Sequence, residues 1–222
     1  MSDDPGGRET YPTADPSALD AVVFDLDGVI RHWNDDALAD VELAYGLEGG
    51  EILRVAFSAE LGHRSITGEL TYRQWMDAIR ERVIARHGSQ VEPALDTWEA
   101  NVGMVDPEMV AVLRELRSGL PVALLSNGTT RLRRDLHVLD LLDEFDVVFN
   151  TAEIGIAKPE PEVFRHVCAE LSVDPTRAAF VDDLEANVAG AASIGMLAHT
   201  HTDVATTRAF LTPLVGDRTT GT

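Results

Sequence analysis

The sequence of 222 residues lacks several features that other classes of protein need. Its single cysteine, Cys168, excludes an internal disulfide and a cysteine-rich zinc site. No run is long or apolar enough to cross a membrane, and the beginning has no apolar signal-peptide core. Basic residues are scarce, 18 against 38 acidic ones, and the formal charge is −20. We therefore expect a cytoplasmic protein that binds neither nucleic acid nor an anionic membrane.

Lysine is the scarcest charged residue in the chain. Of the 18 basic residues, 17 are arginine, and the only lysine is Lys158. Because the chain uses arginine for its surface charge, the one lysine indicates a position that needs a compact point charge on a flexible stem. Chance is the alternative explanation. Lys158 is therefore a candidate active-site residue.

The most informative stretch is Ala-Val-Val-Phe-Asp-Leu-Asp-Gly at residues 21–28. Its short, β-branched apolar run is typical of a buried parallel strand, and Asp25 and Asp27 stand where that strand would end. The carboxyl ends of strands face the ligand crevice of an open α/β sheet. Two such carboxylates can hold a divalent cation, with one attacking and the other moving protons. A polar turn without function is the alternative interpretation.

Strand and helix patterns alternate along the second half of the chain. Further strands are predicted at 122–125, 147–149, 178–181 and 195–198, with helices between them. This alternation predicts an α/β fold with a Rossmann-like, doubly wound, mostly parallel sheet.

Residues 34–104 show helical periodicity and no strand signal, and they include a predicted loop at 61–68. We predict three parts of the chain. They are a disordered segment over 1–18, a core formed by 19–32 and 105–215, and an inserted helical cap over 33–104.

Polar residues follow three of the predicted strands. They are Asp25 with Asp27, Ser126 with Asn127, and Asp182 with Asp183; Lys158 lies in a loop before a helix. All of them are expected at one edge of the sheet, because parallel strands end on the same side. The aspartates are hard oxygen ligands suited to Mg²⁺. Ser126 and the backbone N–H groups after it could hold a phosphate, whose charge Lys158 would help to neutralise.

Four motifs carry a resemblance to a known family. They are Phe-Asp-Leu-Asp-Gly at 24–28, Leu-Ser-Asn-Gly-Thr at 125–129, Lys-Pro-Glu-Pro at 158–161 and Val-Asp-Asp at 181–183. In this order they resemble the haloacid dehalogenase superfamily, subfamily I, over residues 20–200. The helical insertion resembles the C1-type cap of that family. The third and fourth motifs are similar to those of sugar-1-phosphate phosphatases and of the phosphatase domain of soluble epoxide hydrolases.

The resemblance implies a role for each matching residue. Asp25 would be the nucleophile and a metal ligand, and Asp27 the general acid and base, with its backbone carbonyl on the metal. Ser126 and Asn127 would bind the phosphoryl group, and Lys158 would anchor it. Asp183 would bind Mg²⁺ directly and Asp182 through water. Asn187 follows Asp183 by one helical turn and would orient it, unless it is an ordinary helix-surface residue.

The function implied is a Mg²⁺-dependent phosphatase acting on a small phosphorylated metabolite, such as a sugar phosphate, through an aspartyl-phosphate. A phosphomutase of the β-phosphoglucomutase type and a 2-haloacid dehalogenase are the alternatives. The retained Asp27 favours the phosphatase, because a dehalogenase has no alkoxide to protonate. The cap has no lysine, and Arg64 is a weak substitute as a second phosphate anchor.

Two stretches are expected to contact the leaving group. They are the loop 61–68, with His63 and Arg64, and the segment Arg31-His32-Trp33 beside the nucleophile. The alternative interpretation of the loop is that His63 and Arg64 are exposed to solvent and contact no substrate.

Overall fold

The computed structural model describes residues 19–215, so the predicted disordered segment 1–18 lies outside the described residues. Within them the chain forms seven strands: β1 (Ala21–Phe24), β2 (Arg31–His32), β3 (Met104–Val105), β4 (Val122–Ser126), β5 (Val147–Asn150), β6 (Ala178–Asp182) and β7 (Leu197–Thr200). The helices are α1 (Asp35–Ala44), α2 (Glu51–Ala56), α3 (Gly62–Ile66), α4 (Tyr72–His87), α5 (Glu92–Ala100), α6 (Pro107–Arg117), α7 (Leu132–Val138), α8 (Thr151–Ile154), α9 (Pro161–Leu171), α10 (Glu185–Ala192) and α11 (Val204–Val215). None of the described helices combines the length and the apolar character needed to cross a membrane.

Five parallel strands form the main sheet in the order β5-β4-β1-β6-β7. Strand β1 lies at the centre and is buried on both faces, which explains its uninterrupted apolar run. Val22 and Phe24 pack with α6, α7 and α11 on one face, and Val23 packs with α9 and α10 on the other. The predicted doubly wound α/β fold is therefore confirmed.

A second, two-stranded sheet joins β2 to β3 in antiparallel register, with Arg31 opposite Val105 and His32 opposite Met104. The sequence did not predict this pair, because two-residue strands are too short to show a period. Helices α1–α5 lie between these two strands in the chain, so β2 and β3 mark where the inserted segment leaves and rejoins the main sheet.

Helices α1–α5, which we call the cap helices, have an apolar core of their own. Trp75 and Ile79 of α4 lie in it with Ile52 of α2 and Leu95 of α5, and all four are nearly inaccessible to solvent. The N-terminus of α4 carries the reciprocal Thr71–Gln74 capping box. The exact division of the chain into core and cap stays a prediction.

Two local predictions were wrong, and one short helix was not predicted. The predicted loop 61–68 contains α3, whose five residues include a glycine and a serine and so show no clear period. The last strand begins at Leu197, two residues later than predicted, because Gly195 (φ +99°) still belongs to the turn that ends α10. The four-residue helix α8 was missed because it follows β5 without a gap.

Helix α10 packs directly on the loop that carries Lys158. A Cβ atom at Gly190 would lie 2.4 Å from the carbonyl oxygen of Pro159 and 2.8 Å from the ring of Phe164. Since real Cβ atoms do not approach backbone this closely, only glycine allows the helix and the loop to touch here.

We expect Gly190→Ala to destabilise the protein by about 1–3 kcal/mol, because the added methyl group must push the loop or the helix away. Alanine would otherwise favour the helix by about 1 kcal/mol, so the sign of the change tests the contact. Urea unfolding of Gly190→Ala and of the exposed control Ala189→Ser measures it. A Gly190→Ala protein as stable as the parent would show that α10 does not contact the loop.

Candidate active site

Lys158 joins two carboxylates at the carboxyl edge of the main sheet. Its Nζ donates to Oδ1 of Asp25 at 2.6 Å and to Oδ2 of Asp182 at 2.7 Å. Asp25 follows β1 and Asp182 ends β6, and these two strands are neighbours in the sheet. The lysine side chain is only 1% exposed. The structure therefore brings three predicted site residues into one buried cluster.

Burial and charge shift the ionisation of this cluster. Burial raises the pKa of the Asp25 carboxyl to about 7, and Asp182 and Asp27 act in the same direction, whereas Lys158 opposes them. Burial alone would lower the pKa of the Lys158 ammonium, but its attraction to Asp25 and Asp182 outweighs burial and raises it. The lysine is therefore held as a cation among the carboxylates.

Asn127 fixes the backbone of Lys158. Its Nδ2 donates to the carbonyl of Lys158 at 3.0 Å, and its Oδ1 accepts from the N–H of Lys158 at 2.9 Å. This reciprocal pair connects the end of β4 to the lysine loop. The phosphoryl contact predicted for Asn127 stays a prediction. Ser126, the other predicted phosphate ligand, lines the same cavity as Lys158.

Asp182 and Asp183 differ in their surroundings. Asp182 is fully buried and accepts hydrogen bonds from Lys158, from Asn187 Nδ2 at 2.9 and 3.0 Å, and from the N–H of Leu184 at 2.9 Å. Asp183 is partly exposed in the cavity, and its pKa is raised by burial and by the charge of Asp182. The expectation that Asn187 orients Asp183 was therefore wrong: the first turn of α10 points Asn187 back at Asp182.

The acidic cluster fits a divalent cation. Carboxylate oxygens of Asp25, Asp182 and Asp183 lie within 4.8 Å of one another. A Cβ at Gly28, whose φ is +80°, would lie 2.3 Å from Oδ2 of Asp183, so glycine is needed for the close approach. One ammonium cannot balance three carboxylates, and an all-oxygen donor set with excess negative charge suits Mg²⁺.

Arg31 and Trp33 hold the carboxylate of Asp27. Arg31 donates from Nε at 2.7 Å and from Nη2 at 2.9 Å, and the indole Nε1 of Trp33 donates at 2.8 Å. The guanidinium also stacks on the indole, 4.5 Å from the ring centroid. Both residues were predicted to contact the leaving group, and their role toward Asp27 was missed. The spacing of four residues between Asp27 and Arg31 gave no signal in the sequence, because these residues form a turn and the start of β2 and not a helix.

Arg64 and His63 lie elsewhere. Arg64 forms an exposed ion pair with Glu69 at 3.3 Å, and neither Arg64 nor His63 is among the described residues that line the two cavities at the site. Helix α3 instead contacts the core through Thr151, whose hydroxyl donates to the carbonyl of Ile66 at 2.7 Å. The structure therefore does not support the substrate contact predicted for Arg64.

Two cavities meet at the site. The active-site cavity, of about 390 Å³, is lined by charged and polar side chains that include Asp25, Ser126 and Lys158. The apolar cavity, of about 240 Å³, lies between the cap helices and the sheet edge. Asp27, Trp33 and Asn127 line both, so the two cavities adjoin.

A family profile described as haloacid dehalogenase-like hydrolase matches residues 19–195, which is most of the chain. The chain belongs to the haloacid dehalogenase-like hydrolase family. The match confirms the family that the four motifs indicated.

Curated relatives of this hydrolase include phosphatases. It is 29% identical to the sesquiterpene phosphatase astK of Aspergillus oryzae over 203 residues, 88% of this chain and 96% of that protein. It is 32% identical to hexitol phosphatase B of Escherichia coli over 180 residues, 76% of this chain and 77% of that protein. The chain spans only 36% and 17% of the length of two longer curated relatives.

Among solved structures, the hydrolase resembles a haloacid dehalogenase family enzyme from Bacteroides thetaiotaomicron in complex with magnesium and inorganic phosphate. The TM-score is 0.68 at 23% identity, over 83% of this chain and 95% of the other. This likeness confirms the fold. The family match shows that the chain is a hydrolase, and several of its curated relatives are phosphatases.

Lys158→Arg should lower kcat/KM for an aryl phosphate severely although it keeps the charge. The planar guanidinium does not fit between two carboxylates that a point charge now bridges. Loss of one charge-assisted contact of about 1.5–3 kcal/mol corresponds to roughly 10- to 150-fold in rate. Lys158→Ala should be at least as damaging.

The reverse exchange at an exposed ion pair, Arg165→Lys, serves as the matched control and should leave kcat/KM unchanged. Circular dichroism verifies that each variant is folded. A folded Lys158→Arg protein that keeps more than about half of the parental kcat/KM would remove Lys158 from the active site.

Proposed function

We propose that this hydrolase is a Mg²⁺-dependent phosphatase that cleaves a small phosphomonoester through an aspartyl-phosphate on Asp25. The observation that carries the proposal is the position of Asp25 in the active-site cavity. One carboxylate oxygen is held by Lys158, the acidic cluster surrounds it, and Ser126 lines the same space. A buried, positioned carboxylate beside groups that can neutralise a phosphoryl dianion is suited to nucleophilic attack on phosphorus.

The residues divide the work in the first step. Oδ1 of Asp25 is engaged with Lys158, and Oδ2 attacks the phosphorus atom. Ser126 Oγ and the backbone N–H groups of Asn127 and Gly128 hold the phosphoryl oxygens. The ion would be held by Asp25, by the backbone carbonyl of Asp27 and by Asp183, with Asp182 reached through water. When bound, Mg²⁺ supplies positive charge that stabilises the phosphoryl group during transfer.

Asp27 moves the protons. In the first step the bond between phosphorus and the leaving oxygen breaks, and that oxygen takes a proton from Asp27. In the second step Asp27 takes a proton from water, whose oxygen attacks phosphorus, releases phosphate and restores Asp25. The first step therefore starts from protonated Asp27, whose side chain Arg31 and Trp33 orient.

The two alternatives are less well supported. A phosphomutase needs a second phosphate anchor near the cap, but Arg64 is paired with Glu69 away from both cavities. A 2-haloacid dehalogenase releases a halide, which needs no proton donor. Asp27 lines the active-site cavity beside Asp25 and so provides an acid–base group that a dehalogenase would not need.

Asp25→Asn should reduce phosphate release by at least about a thousandfold, because an amide cannot form the aspartyl-phosphate. The fold should persist, since the two side chains have the same shape. Phosphate release from an aryl phosphate measures the effect, with the exposed Asp36→Asn as the matched control. Turnover by Asp25→Asn within about tenfold of the parent would show that Asp25 is not the nucleophile.

Removal of the metal gives an independent test. Activity should vanish in EDTA, return with Mg²⁺ and be suppressed by Ca²⁺, which accepts looser coordination and lets the attacking carboxylate bind through both oxygens. Calorimetric titration should show Mg²⁺ binding to the parent protein and weaker binding to Asp183→Asn. Full activity in EDTA would refute the metal requirement, and halide release from a 2-haloacid under those conditions would favour the dehalogenase.

A further inference from the structure

The apolar cavity adjoins the active-site cavity and is lined in large part by the cap. The cap contributes six apolar or aromatic residues to its lining: Leu38, Leu53, Phe57, Tyr72, Trp75 and Trp98. Through Asp27, Trp33 and Asn127 the apolar cavity continues into the cavity that contains the nucleophile. The alcohol part of a phosphomonoester whose phosphoryl group lies at Asp25 can therefore extend into the apolar cavity.

The aromatic side chains that line the apolar cavity are held in place by contacts within the protein. Trp75 is nearly buried, and its indole Nε1 donates to the carbonyl of Ala56 at 2.9 Å. Its ring lies 5.6 Å from Phe57, 5.9 Å from Tyr72 and 5.8 Å from Trp98, measured between centroids. These contacts hold the aromatic rings in place, so a ligand would not have to order them.

The charged groups that line the apolar cavity form most of their hydrogen bonds within the protein. Arg131 donates to Asp135 at 2.9 Å, to the carbonyl of Glu99 at 2.9 Å and to the hydroxyl of Tyr72. Arg31 is paired with Asp27 through Nε and Nη2, whereas its Nη1 is buried without a hydrogen-bond partner among the described residues. A sugar would therefore have to place its hydroxyls mainly against the apolar and aromatic side chains of the lining, which favours an apolar skeleton over a sugar.

We propose that the substrate is a phosphomonoester of an apolar alcohol, aromatic or branched hydrocarbon, whose carbon skeleton fills the apolar cavity. The proposal rests on the phosphatase function proposed above and names its substrate class. An apolar cavity of about 150 Å³ holds benzene. The 240 Å³ measured here accommodates a skeleton larger than one ring, such as a fused pair of aromatic rings. This class replaces the sugar phosphate as the expected substrate.

Leu53 and Phe57 are the residues that should set this preference. They are 43% and 53% exposed, so they line the cavity without being needed for the core of the cap. An apolar ligand that entered the apolar cavity would bury these two exposed side chains, which favours its binding.

The first experiment compares kcat/KM for 2-(2-naphthyl)ethyl phosphate and glucose 6-phosphate. Both are primary alkyl phosphates, so the leaving alcohols are matched in kind. We expect the naphthyl substrate to be preferred by at least about tenfold. Leu53→Asn and Phe57→Asn should each lower this ratio severalfold to tenfold, whereas Leu43→Asn, at an exposed leucine outside the cavity, should leave it unchanged.

The second experiment needs neither metal nor turnover. Binding of 2-(2-naphthyl)ethanol to the metal-free protein is measured by quenching of tryptophan fluorescence, with glucose as the comparison. We expect the naphthyl alcohol to bind, glucose not to bind, and Phe57→Asn to weaken the binding several-fold.

The outcomes separate the two proposals. An active phosphatase that prefers glucose 6-phosphate, or whose substrate ratio is unmoved by Leu53→Asn and Phe57→Asn, overturns the apolar substrate class. So does a failure of the naphthyl alcohol to bind. Binding of the alcohol by a protein that releases no phosphate from any substrate, with Mg²⁺ present, overturns the phosphatase and leaves an apolar ligand site.

Discussion

The buried ammonium of Lys158 between Asp25 and Asp182 is the interaction on which the site depends. It connects two neighbouring strands of the main sheet to the loop before α9. Without it, two buried carboxylates would face each other in a water-poor environment, and removing one partner of such a cluster costs about 3–5 kcal/mol. The rest of the site serves to hold this lysine. Asn127 clamps its backbone, and Gly190 lets α10 pack against its loop.

The site combines two adjoining cavities whose linings differ in polarity. The active-site cavity is polar and acidic, as phosphoryl transfer to a carboxylate requires, and its residues come from the edge of the main sheet. The apolar cavity takes most of its apolar and aromatic lining from the cap. Asp27 lies where the two meet, which is where the proposed mechanism needs its proton donor. Substrate choice can therefore vary with the cap while the chemistry stays in the sheet.

Arg31 and Trp33 link these two parts physically. They belong to β2 and the residue after it, where the chain enters the cap, yet their side chains hold Asp27. A displacement of the cap about the β2–β3 pair would move the two side chains that orient the Asp27 carboxylate. The geometry thus couples the position of the cap to the position of the Asp27 carboxylate.

The main sheet and its polar edge were predictable from the sequence because they depend on local patterns. Buried parallel strands require continuous apolar runs, and parallel strands must end on one side, which brings Asp25, Ser126 and Asp182 together. Tertiary structure alone decided which groups touch. That Asn187 binds Asp182 and that Arg31 holds Asp27 depends on how the chain turns after β6 and β1, and the aromatic cavity depends on how the cap packs against the sheet edge. No spacing along the chain encodes such contacts, because side-chain direction is set only when the elements pack.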